Sequence, residues 1–349
     1  MRSRLLRLPG EAGKGTIGVS DVVIVGAGSW GTALALVLGR KEVTVSLWGR
    51  DGAEIARLRA SRVNEKYLPG HTLPECVQAF DDLERAADAA RVAILAVPSG
   101  AAREVLLRCV DVPRLRSLPW VMAAKGLEGD TGKLMSELAL EVLGAHAEVA
   151  ALSGPNLAKE LADGLPTATV IASRDRRLAA DLQTLFMSPS LRVYTGEDVV
   201  GVELAGALKN VLAIGGGMTD GLGFRDNTKA AVLTRGLAEM ARLGEAMGAE
   251  PRTFMGLAGV GDLFATAVST YSRNYRVGHA VGRGVALADA IREVQQVAEG
   301  VPTAHAAVLL SERYRVEMPL FDAIHRVLAG TLAPMDAVRE LMHRTPKGE

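Results

Sequence analysis

The residues best suited to chemistry are a lysine and an aspartate far apart in the chain. Lys209 lies in GALKN, within a helical pattern that is otherwise Ala, Leu and Val, so its ammonium group falls on an apolar face. Burial lowers the pKa of a lysine and a nearby carboxylate raises it, and the balance decides how readily the group gives up a proton. Asp262, between Gly261 and Leu263, is a candidate partner. We interpret Lys209 as a candidate proton-transfer residue, with a solvated surface lysine as the alternative.

Three consecutive polar residues, Ser272-Arg273-Asn274, form a second candidate group. They offer a hydroxyl, a forked guanidinium and an amide, which suit a dianionic phosphate because Arg can meet two oxygens at once. A polar helix start with Ser272 as N-cap is the alternative, and both interpretations can hold together.

A glycine-rich turn, Gly26-Ala-Gly28-Ser-Trp-Gly31, directly follows the apolar run VVIV and opens a helical pattern. In that position Gly26 makes the tight turn, Gly28 lets a pyrophosphate approach the backbone, and Gly31 allows the helix to pack on the strand. Free N–H groups at the helix start can then bind phosphate. The pattern predicts dinucleotide binding, against the alternative of a structural turn.

The second predicted strand ends in Trp48-Gly49-Arg50-Asp51. A NAD-specific site usually has an acid about 20 residues beyond the glycine turn, where it binds the ribose hydroxyls. Here Arg50 is best placed, and its guanidinium can pair with the 2′-phosphate of NADP or stack on adenine. We expect NADP or NAD as cofactor, with NADPH favoured. A solvated loop arginine is the alternative, and Asp51 could reach the ribose if the strand ended one residue later.

Short β-branched runs alternate with helical patterns through the first half of the chain. The predicted strands are Val22–Val25, Val43–Trp48, Arg91–Val97, Trp120–Ala124, Val149–Leu152, Thr167–Ala172 and Leu191–Tyr194. The predicted helices between them lie at 31–39, 81–90, 101–110 and 132–143. This alternation predicts parallel pairing by right-handed crossovers, and therefore an α/β Rossmann-type doubly wound sheet.

The second half has almost no β-branched runs. Helices are predicted at 198–218, 228–247, 277–283, 285–297, 303–314, 319–329 and 334–343. We expect an N-terminal extension at 1–20, a dinucleotide-binding domain at 21–197 and an all-α substrate-binding C-terminal domain at 198–349, joined by the helix that starts near Asp198. The glycines at 215–217 and 221–223 follow no strand, so they do not predict a second phosphate loop.

Composition limits the partners. The 349 residues suffice for two ordinary domains or one unusually large one. Forty basic and 40 acidic side chains cancel, and aromatic residues make up 4%, which argues against broad electrostatic or stacking contact with nucleic acid. No apolar run approaches the roughly 18 residues of a membrane span, so no stable membrane insertion is expected. We expect a small-molecule substrate.

Cys76 and Cys109 form no CxxC pair, and the six histidines are scattered, so no metal site is predicted. We interpret both cysteines as buried thiols in a reducing compartment, with a disulfide or a catalytic thiol as the alternative. The basic start, MRSRLLRLPG, lacks the apolar stretch of a secretory signal. A flexible extension of a cytoplasmic protein is the favoured interpretation, and an organelle-targeting leader is the alternative.

Longer motifs carry a family resemblance. These are GAGSWGTALA, LWGRD, NEKYLPG, AAKGLE, LSGPNLAKE, ELAGALKN, GLAGVGDLFAT, SRNYRVG and VAEGV. In their order and spacing, from about residue 21 to 340, the chain closely resembles bacterial-type glycerol-3-phosphate dehydrogenases. The resemblance implies NAD(P)H-dependent reduction of dihydroxyacetone phosphate to sn-glycerol 3-phosphate, a precursor of glycerophospholipids, and a homodimer.

The resemblance also implies roles for single residues. Lys209 matches the catalytic proton-transfer residue. The implied substrate ligands are Lys125, Gly154, Lys209, Asp262, Ser272, Arg273 and Asn274. Beside Gly26, Gly28 and Gly31 of the glycine turn, the implied cofactor contacts are Ser29, Trp30, Arg50, Tyr67, Lys125, Ala158, Arg273, Val297 and Glu299.

The chain departs from the family pattern at two places. Asn156 stands where the family usually has a hydroxyl residue after SGP, which puts a side-chain contact there in doubt, and ATAVSTY lacks a cysteine often found before SRN. Two other functions stay open from the residues alone. One is a β-hydroxyacid dehydrogenase of the 6-phosphogluconate type, and the other is a non-catalytic nicotinamide-sensing module.

Overall fold

The computed structural model describes residues 21–345. The extension inferred at 1–20 lies outside the described residues. The chain divides into two compact units, one of Met1–Ala124 with Met135–Val199 and one of Lys125–Leu134 with Val200–Glu349. Residues 125–134 thus group with the second unit, whereas the sequence-based limits assigned them to the first domain, 21–197.

The first unit contains every strand of the described chain. These are β1 (Val22–Val25), β2 (Val45–Trp48), β3 (Val63–Asn64), β4 (Leu68–Thr72), β5 (Val77–Phe80), β6 (Val92–Leu95), β7 (Trp120–Met122), β8 (Val149–Ser153), β9 (Thr167–Ala172) and β10 (Leu191–Gly196). Eight of them form one sheet in the order β10-β9-β8-β7-β6-β1-β2-β5, and β3 and β4 form a separate two-stranded sheet. From β5 to β8 the order is that of a dinucleotide-binding sheet, whose ligand lies where the order reverses, at the carboxyl end of β1.

Helices cover both faces of this sheet. They are α1 (Ser29–Gly39), α2 (Gly52–Ser61), α3 (Leu83–Ala87), α4 (Ala102–Val110), α5 (Pro113–Arg116), α6 (Met135–Leu143), α7 (Ala158–Asp163) and α8 (Arg176–Phe186). Val22 and Ile24 of β1 join the core under α1, α2, α7 and α8, while Val23 and Val25 join the core under α3 to α6. A strand buried on both faces needs apolar residues at every position, which explains the continuous VVIV run.

The prediction of uniformly parallel pairing was wrong at one strand. β9 pairs antiparallel with β8, with Leu152 opposite Ile171, although β10 then pairs parallel with β9. The short helix α7 packs chiefly against α1 and β4, so the chain returns along β8 without a crossover over the sheet. A crossover to a parallel neighbour needs about a dozen residues that run back over a face, and α7 does not do so.

The sequence missed the edge strand β5. Its outward-facing carbonyl groups are capped by arginines from α2 and the residue after it, since Arg59 Nε donates to Ala79 O at 2.7 Å and Arg62 Nη2 donates to Val77 O at 3.1 Å. Charged side chains on an exposed edge hinder pairing with other chains. β5 has only four residues, and no glycine marks where it begins or ends. Its sequence pattern alone therefore does not indicate a strand.

The second unit is helical. Its helices are α9 (Val199–Gly221), α10 (Asp226–Ala246), α11 (Pro251–Phe254), a π-helical segment (Leu257–Gly261), α12 (Asp262–Ala267), α13 (Arg273–Gly282), α14 (Leu287–Val294), α15 (Gly300–Tyr314), α16 (Pro319–Leu328) and α17 (Pro334–Met342). α11 and α12 were not predicted, because Gly256, Gly259 and Gly261 interrupt their pattern. The predicted fold class, a doubly wound sheet followed by a helical domain, is confirmed.

α9 is long and apolar enough to cross a membrane by length and composition, so the expectation that no segment reaches that threshold was wrong. In the fold, 94% of its most apolar window is buried inside the protein, as in a core helix. Its glycines have a packing role. A Cβ at Gly217 would lie 2.2 Å from Tyr275 O, and one at Gly221 would lie 2.3 Å from His279 O, so the two glycines let α13 pack directly on α9.

Candidate active site

The glycine turn has the geometry that its sequence predicts. Gly26 has φ +128°, and a Cβ there would lie 2.6 Å from Ala96 O at the end of β6. A Cβ at Gly31 would lie 1.9 Å from Gly26 O, so only glycine lets α1 pack this closely on the turn. Both positions therefore need glycine for the fold itself.

Gly28 differs, because a Cβ there would meet no protein atom within 4 Å. It is the N-cap of α1, and no side chain caps that helix. An open backbone at a helix N-terminus is suited to a phosphate group, since the N–H groups and the helix dipole both favour an anion. Next to it, Trp30 Nε1 donates to Ala123 O at 3.0 Å, which fixes the indole beside β7. The residues of this turn fit a dinucleotide pyrophosphate.

Arg50 follows β2 after one glycine and is exposed. Asp51 is the N-cap of α2, and its Oδ1 accepts from the N–H groups of Ala53 and Glu54, both at 3.1 Å. β2 ends at Trp48, so the strand does not extend to favour Asp51 over Arg50. Helix capping thus engages Oδ1 of Asp51, whereas Arg50 is an exposed cation directly after the strand and its glycine.

The remaining candidates of the first unit lie in three places. Tyr67, half-buried, directly precedes β4, and the Lys66 ammonium lies 5.2 Å from its ring centroid. Ala158 is the half-buried first residue of α7. Gly154 has φ +145°, and a Cβ there would lie 3.0 Å from Thr169 Cα, so glycine is required for the approach to β9.

Asn156, which departs from the family pattern, has a buried side chain that is directed into the first unit. Its Nδ2 donates to Thr169 Oγ1 at 3.0 Å, and Thr169 Oγ1 donates to Ser153 O at 2.9 Å. The amide therefore has a structural contact with β9 that explains why a long polar side chain is buried here.

The second unit brings together residues 137 positions apart. Lys125 Nζ donates to Asp262 Oδ2 at 2.9 Å, and Lys209 Nζ donates to Asp262 Oδ1 at 3.0 Å. The side chains of Lys209 and Asp262 are buried, with exposed fractions of 6% and 2%, whereas that of Lys125 is 18% exposed. The sequence proposed Asp262 as partner of Lys209, and the structure places them in contact. A buried carboxylate between two ammonium groups is a paired charge cluster and not a solvated surface.

Burial lowers the pKa of Lys209 to about 8, because the attraction of Asp262 only partly offsets desolvation, and the positive charges of Lys125 and Arg273 lower it further. Burial alone would raise the pKa of Asp262, but the two lysines outweigh it and hold that pKa below its usual value. Lys209 therefore changes protonation close to neutral pH, where a group that both donates and accepts protons is most effective.

Sequence reasoning missed two polar residues of this cluster. Lys209 Nζ also donates to Thr266 Oγ1 at 2.6 Å, one turn after Asp262 on α12. Asn210 Nδ2 donates to Lys125 O at 3.0 Å, so α9 holds the backbone of Lys125. The spacing of Asp262 and Thr266, four residues on one helix, was the available signal for Thr266.

The three residues of SRN have different surroundings. Ser272 caps α13 by accepting from Tyr275 N at 3.2 Å, as the alternative interpretation expected. Asn274 is also directed inward, since its Nδ2 donates to Asn210 Oδ1 at 2.8 Å and its Oδ1 accepts from Gly300 N at 2.9 Å. Only Arg273 has a side chain held by a single long bond, to Gln296 Oε1 at 3.4 Å.

The remaining two candidates, Val297 and Glu299, lie just before α15. Val297 is exposed, and Glu299 immediately precedes α15. Burial lowers the pKa of the Arg273 guanidinium, and the charge of Glu299 partly opposes that shift. The structure thus places Arg273, Glu299 and the Lys209 cluster in one electrostatic neighbourhood of the second unit.

The cysteines and histidines of the described residues form no metal-binding cluster. Between residues 21 and 345, no group of three or more His, Cys, Asp and Glu side chains is placed to hold a metal ion. Cys76 is half-buried and Cys109 is buried, and both are free thiols. Burial raises the pKa of Cys109 to about 12, which keeps it protonated and unreactive.

Two family models match consecutive parts of the chain. Residues 21–179 match the family model for the NAD-dependent glycerol-3-phosphate dehydrogenase N-terminus, and residues 198–339 match the model for its C-terminus. A glycerol-3-phosphate dehydrogenase [NAD(P)+] of Pelotomaculum thermopropionicum is 47% identical over 326 residues, covering 93% of each chain. One of Geobacillus thermodenitrificans is 45% identical over 336 residues, covering 95% of this chain and 97% of its own.

Among solved structures, the crystal structure of glycerol-3-phosphate dehydrogenase from Coxiella burnetii superimposes with a TM-score of 0.89 at 39% identity. The match covers 93% of this chain and 99% of that one. These relatives give no support to the 6-phosphogluconate type or to a sensing module. They are oxidoreductases named for use of NAD or NADP. The chain belongs to the NAD-dependent glycerol-3-phosphate dehydrogenase family.

Proposed function

We propose that the protein catalyses the reversible NAD(P)H-dependent reduction of dihydroxyacetone phosphate to sn-glycerol 3-phosphate. The observation that carries the proposal is the buried contact of Lys209 with Asp262 and Thr266, next to Lys125. It supplies a buried proton donor whose pKa is lowered by burial to about 8. The family to which the chain belongs names the substrate class.

The chemistry assigned to Lys209 is proton transfer. When bound, the nicotinamide supplies a hydride to the ketone carbon. The carbonyl oxygen then becomes an alkoxide, and Lys209 Nζ donates a proton to it as it forms. Asp262 holds the ammonium in place through Oδ1, and Lys125 adds a second positive charge that stabilises the developing oxyanion. In the reverse direction neutral Lys209 accepts the hydroxyl proton.

We assign the substrate phosphate to Arg273. Burial desolvates its guanidinium, whose one hydrogen bond within residues 21–345 is a long one, to Gln296. Lys125, Lys209 and Arg273 oppose the carboxylates of Asp262 and Glu299, so the neighbourhood has an excess of positive charge for a dianion. Ser272 and Asn274 stay proposed ligands, but their side chains already bond within the fold and leave fewer free groups for phosphate. Gly154 remains a proposed ligand through its backbone.

We propose the cofactor contacts from the fit of the glycine turn to a pyrophosphate and from the family resemblance. Gly28 and the start of α1 take the pyrophosphate, and Arg50 takes the adenosine ribose or its 2′-phosphate. The further contacts that we propose are Ser29, Trp30, Tyr67, Lys125, Ala158, Arg273, Val297 and Glu299. Either cofactor is used, and we propose that NADPH is preferred.

Three finer points rest on the family alone. We propose that the protein acts in the cytoplasm, that it is a homodimer, and that its product supplies glycerophospholipid synthesis. The functional limits of 21–197 for cofactor binding and 198–349 for substrate binding are part of the same proposal.

The deciding experiment is an absorbance assay at 340 nm. We expect oxidation of NADPH and NADH that depends on dihydroxyacetone phosphate, with much weaker activity on unphosphorylated dihydroxyacetone. Reduction of NADP⁺ by 6-phosphogluconate, without activity on the ketone phosphate, would overturn the proposal. Tight cofactor binding with no turnover of either substrate would instead indicate a sensing module.

We expect Arg273→Ala to impair recognition of the substrate phosphate. A hydrogen bond to a charged group is worth about 1.5–3 kcal/mol, so kcat/KM on dihydroxyacetone phosphate is expected to fall roughly 10- to 150-fold. The loss on unphosphorylated dihydroxyacetone is expected to be much smaller. Arg276→Ala, at an exposed arginine of the same helix, is the matched control. An equal loss on both ketones contradicts the assignment.

We expect Arg50→Ala to raise the KM for NADPH by about tenfold, because one charge-assisted pair with the 2′-phosphate is lost. The KM for NADH is expected to change less, through lost adenine stacking only. Arg57→Ala removes an exposed arginine of α2 that pairs with Glu54, and serves as control. Equal changes in KM for the two cofactors, or a wild-type enzyme that does not use NADPH, would contradict the role of Arg50.

A further inference from the structure

One buried polar side chain of the first unit contacts both the glycine turn and the segment of Tyr67. Asn64, the last residue of β3, is buried, and its Nδ2 donates to Ala27 O at 2.9 Å and to Thr32 Oγ1 at 2.8 Å. Its Oδ1 accepts from Tyr67 N at 3.4 Å, a longer contact that the same N–H shares with the backbone oxygen of Asn64 at 3.3 Å. The side chain thus bonds to the turn, to the first part of α1 and to the β3–β4 loop.

The orientation of the Asn64 amide follows from its partners. Ala27 O can only accept a hydrogen bond, and Tyr67 N can only donate one. A rotated amide would place its oxygen against Ala27 O and its NH₂ group against Tyr67 N–H, so both contacts would become repulsive. The amide nitrogen of Asn64 is therefore the donor to Ala27, and its oxygen is the acceptor from Tyr67.

The contact with Ala27 bears on the proposed phosphate site. The C=O of Ala27 and the N–H of Gly28 belong to one trans peptide plane, in which the two groups point in opposite directions. Because Asn64 holds the carbonyl on its own side, the Gly28 N–H points away from Asn64. Gly28 is the position where a Cβ would meet no protein atom within 4 Å, so there is open space beside its backbone.

We propose that Asn64 is a positioning residue for the cofactor. It fixes the Ala27–Gly28 peptide so that the Gly28 N–H faces the pyrophosphate, and it couples this peptide to the loop that carries Tyr67. Pre-organised donors bind an anion more tightly than mobile ones, because less order has to be created on binding. The inference rests on the proposed cofactor site at the glycine turn and extends it to a residue that does not contact the cofactor.

The test compares cofactor affinity with stability. Asn64→Asp keeps the size of the side chain and an acceptor for Tyr67 N but removes both N–H donors, and Asn64→Ala removes all three bonds. For both variants we expect the Kd for NADPH, NADH and ADP-ribose to rise roughly tenfold, the loss of one hydrogen bond worth about 1.4 kcal/mol. We expect kcat at saturating cofactor and KM for the ketone phosphate to stay near wild type. If Asn64→Ala does not fold, Asn64→Asp gives the same comparison.

Gln183→Ala is the matched control. Gln183 Nε2 donates to Val193 O at 2.8 Å between α8 and β10, so the variant loses a bond of the same kind away from the glycine turn. We expect it to lower the melting temperature without changing the Kd for any of the three nucleotides. Unchanged nucleotide affinity in the Asn64 variants, or an equal loss in Gln183→Ala, overturns the inference. Failure of the wild-type protein to bind nucleotide would instead remove the proposed function.

Discussion

Replacing Lys209 with alanine is expected to lower kcat for dihydroxyacetone phosphate by about 10²- to 10⁴-fold, the usual contribution of a positioned proton donor. Lys209 Nζ is buried between Asp262 and Thr266, so water cannot readily replace it as the donor. Cofactor affinity is expected to stay near wild type, because the glycine turn and Arg50 are unchanged. Steady-state kinetics at 340 nm and nucleotide fluorescence titration measure the two quantities.

The control for this variant is Lys229→Ala. Lys229 Nζ pairs with Asp220 at 2.5 Å, also between two helices of the second unit, but the pair is half-buried and lies outside the Lys209 cluster. We expect it to keep the wild-type kcat. A Lys209→Ala enzyme that retains most of its turnover would show that another group delivers the proton.

The pH dependence gives an independent check on the same lysine. Reduction needs protonated Lys209, and its pKa is lowered to about 8 by burial. We therefore expect kcat/KM for reduction to be level below about pH 8 and to fall above it. For oxidation of glycerol 3-phosphate, which needs neutral Lys209, kcat/KM is expected to rise through the same pH. An inflection that persists in Lys209→Ala belongs to another group.

Replacing Asp262 with asparagine is expected to have the second largest effect. The carboxylate lies between two ammonium groups, and its loss removes the negative charge that Lys125 and Lys209 share. The charge of Asp262 is what raises the pKa of Lys209 against desolvation, so without it that pKa falls below about 8. At pH 7.5 we expect kcat for reduction to fall by about 10²-fold, within the range of general acid catalysis.

Two measurements separate this electrostatic role from a loss of folding. In Asp262→Asn the inflection of the reduction profile is expected to move to lower pH, with partial recovery of turnover in acid. Breaking a buried ion pair costs about 3–5 kcal/mol, so urea unfolding is expected to show a lower free energy of unfolding. Thr266→Val, which keeps both charges, is expected to shift the inflection much less. An unchanged inflection in Asp262→Asn would contradict the pairing.

The sequence by itself determined many of the helices and strands and the glycine turn. The VVIV run predicts β1, because a strand covered on both faces must be apolar at each position. Gly26 and Gly31 are required by contacts within the turn and its neighbours, so the spacing of these glycines is enough to indicate the turn. In the second half, the hydrophobic periodicity predicts helices, because α9, α10 and α15 to α17 are long enough to show it.

Other features depend on contacts that local patterns do not contain. The antiparallel direction of β9 and the position of β5 at the edge of the sheet are set by the strands with which they pair. Periodicity gives the face of a strand or helix but not its partner. The inward orientation of Asn274 likewise arises from Asn210 and Gly300, which are distant in sequence.

The state of Lys209 is the clearest case of a property that only tertiary structure decides. Its apolar helix face suggested burial, and Asp262 was a plausible partner, but the sequence did not show which influence on the pKa is larger. That depends on the distances from Nζ to Asp262 Oδ1 and Thr266 Oγ1, on the second ammonium of Lys125, and on the exclusion of water. Residue types along the chain specify which groups are present, whereas desolvation and charge pairing arise only when α9, α12 and residues 125–134 pack together.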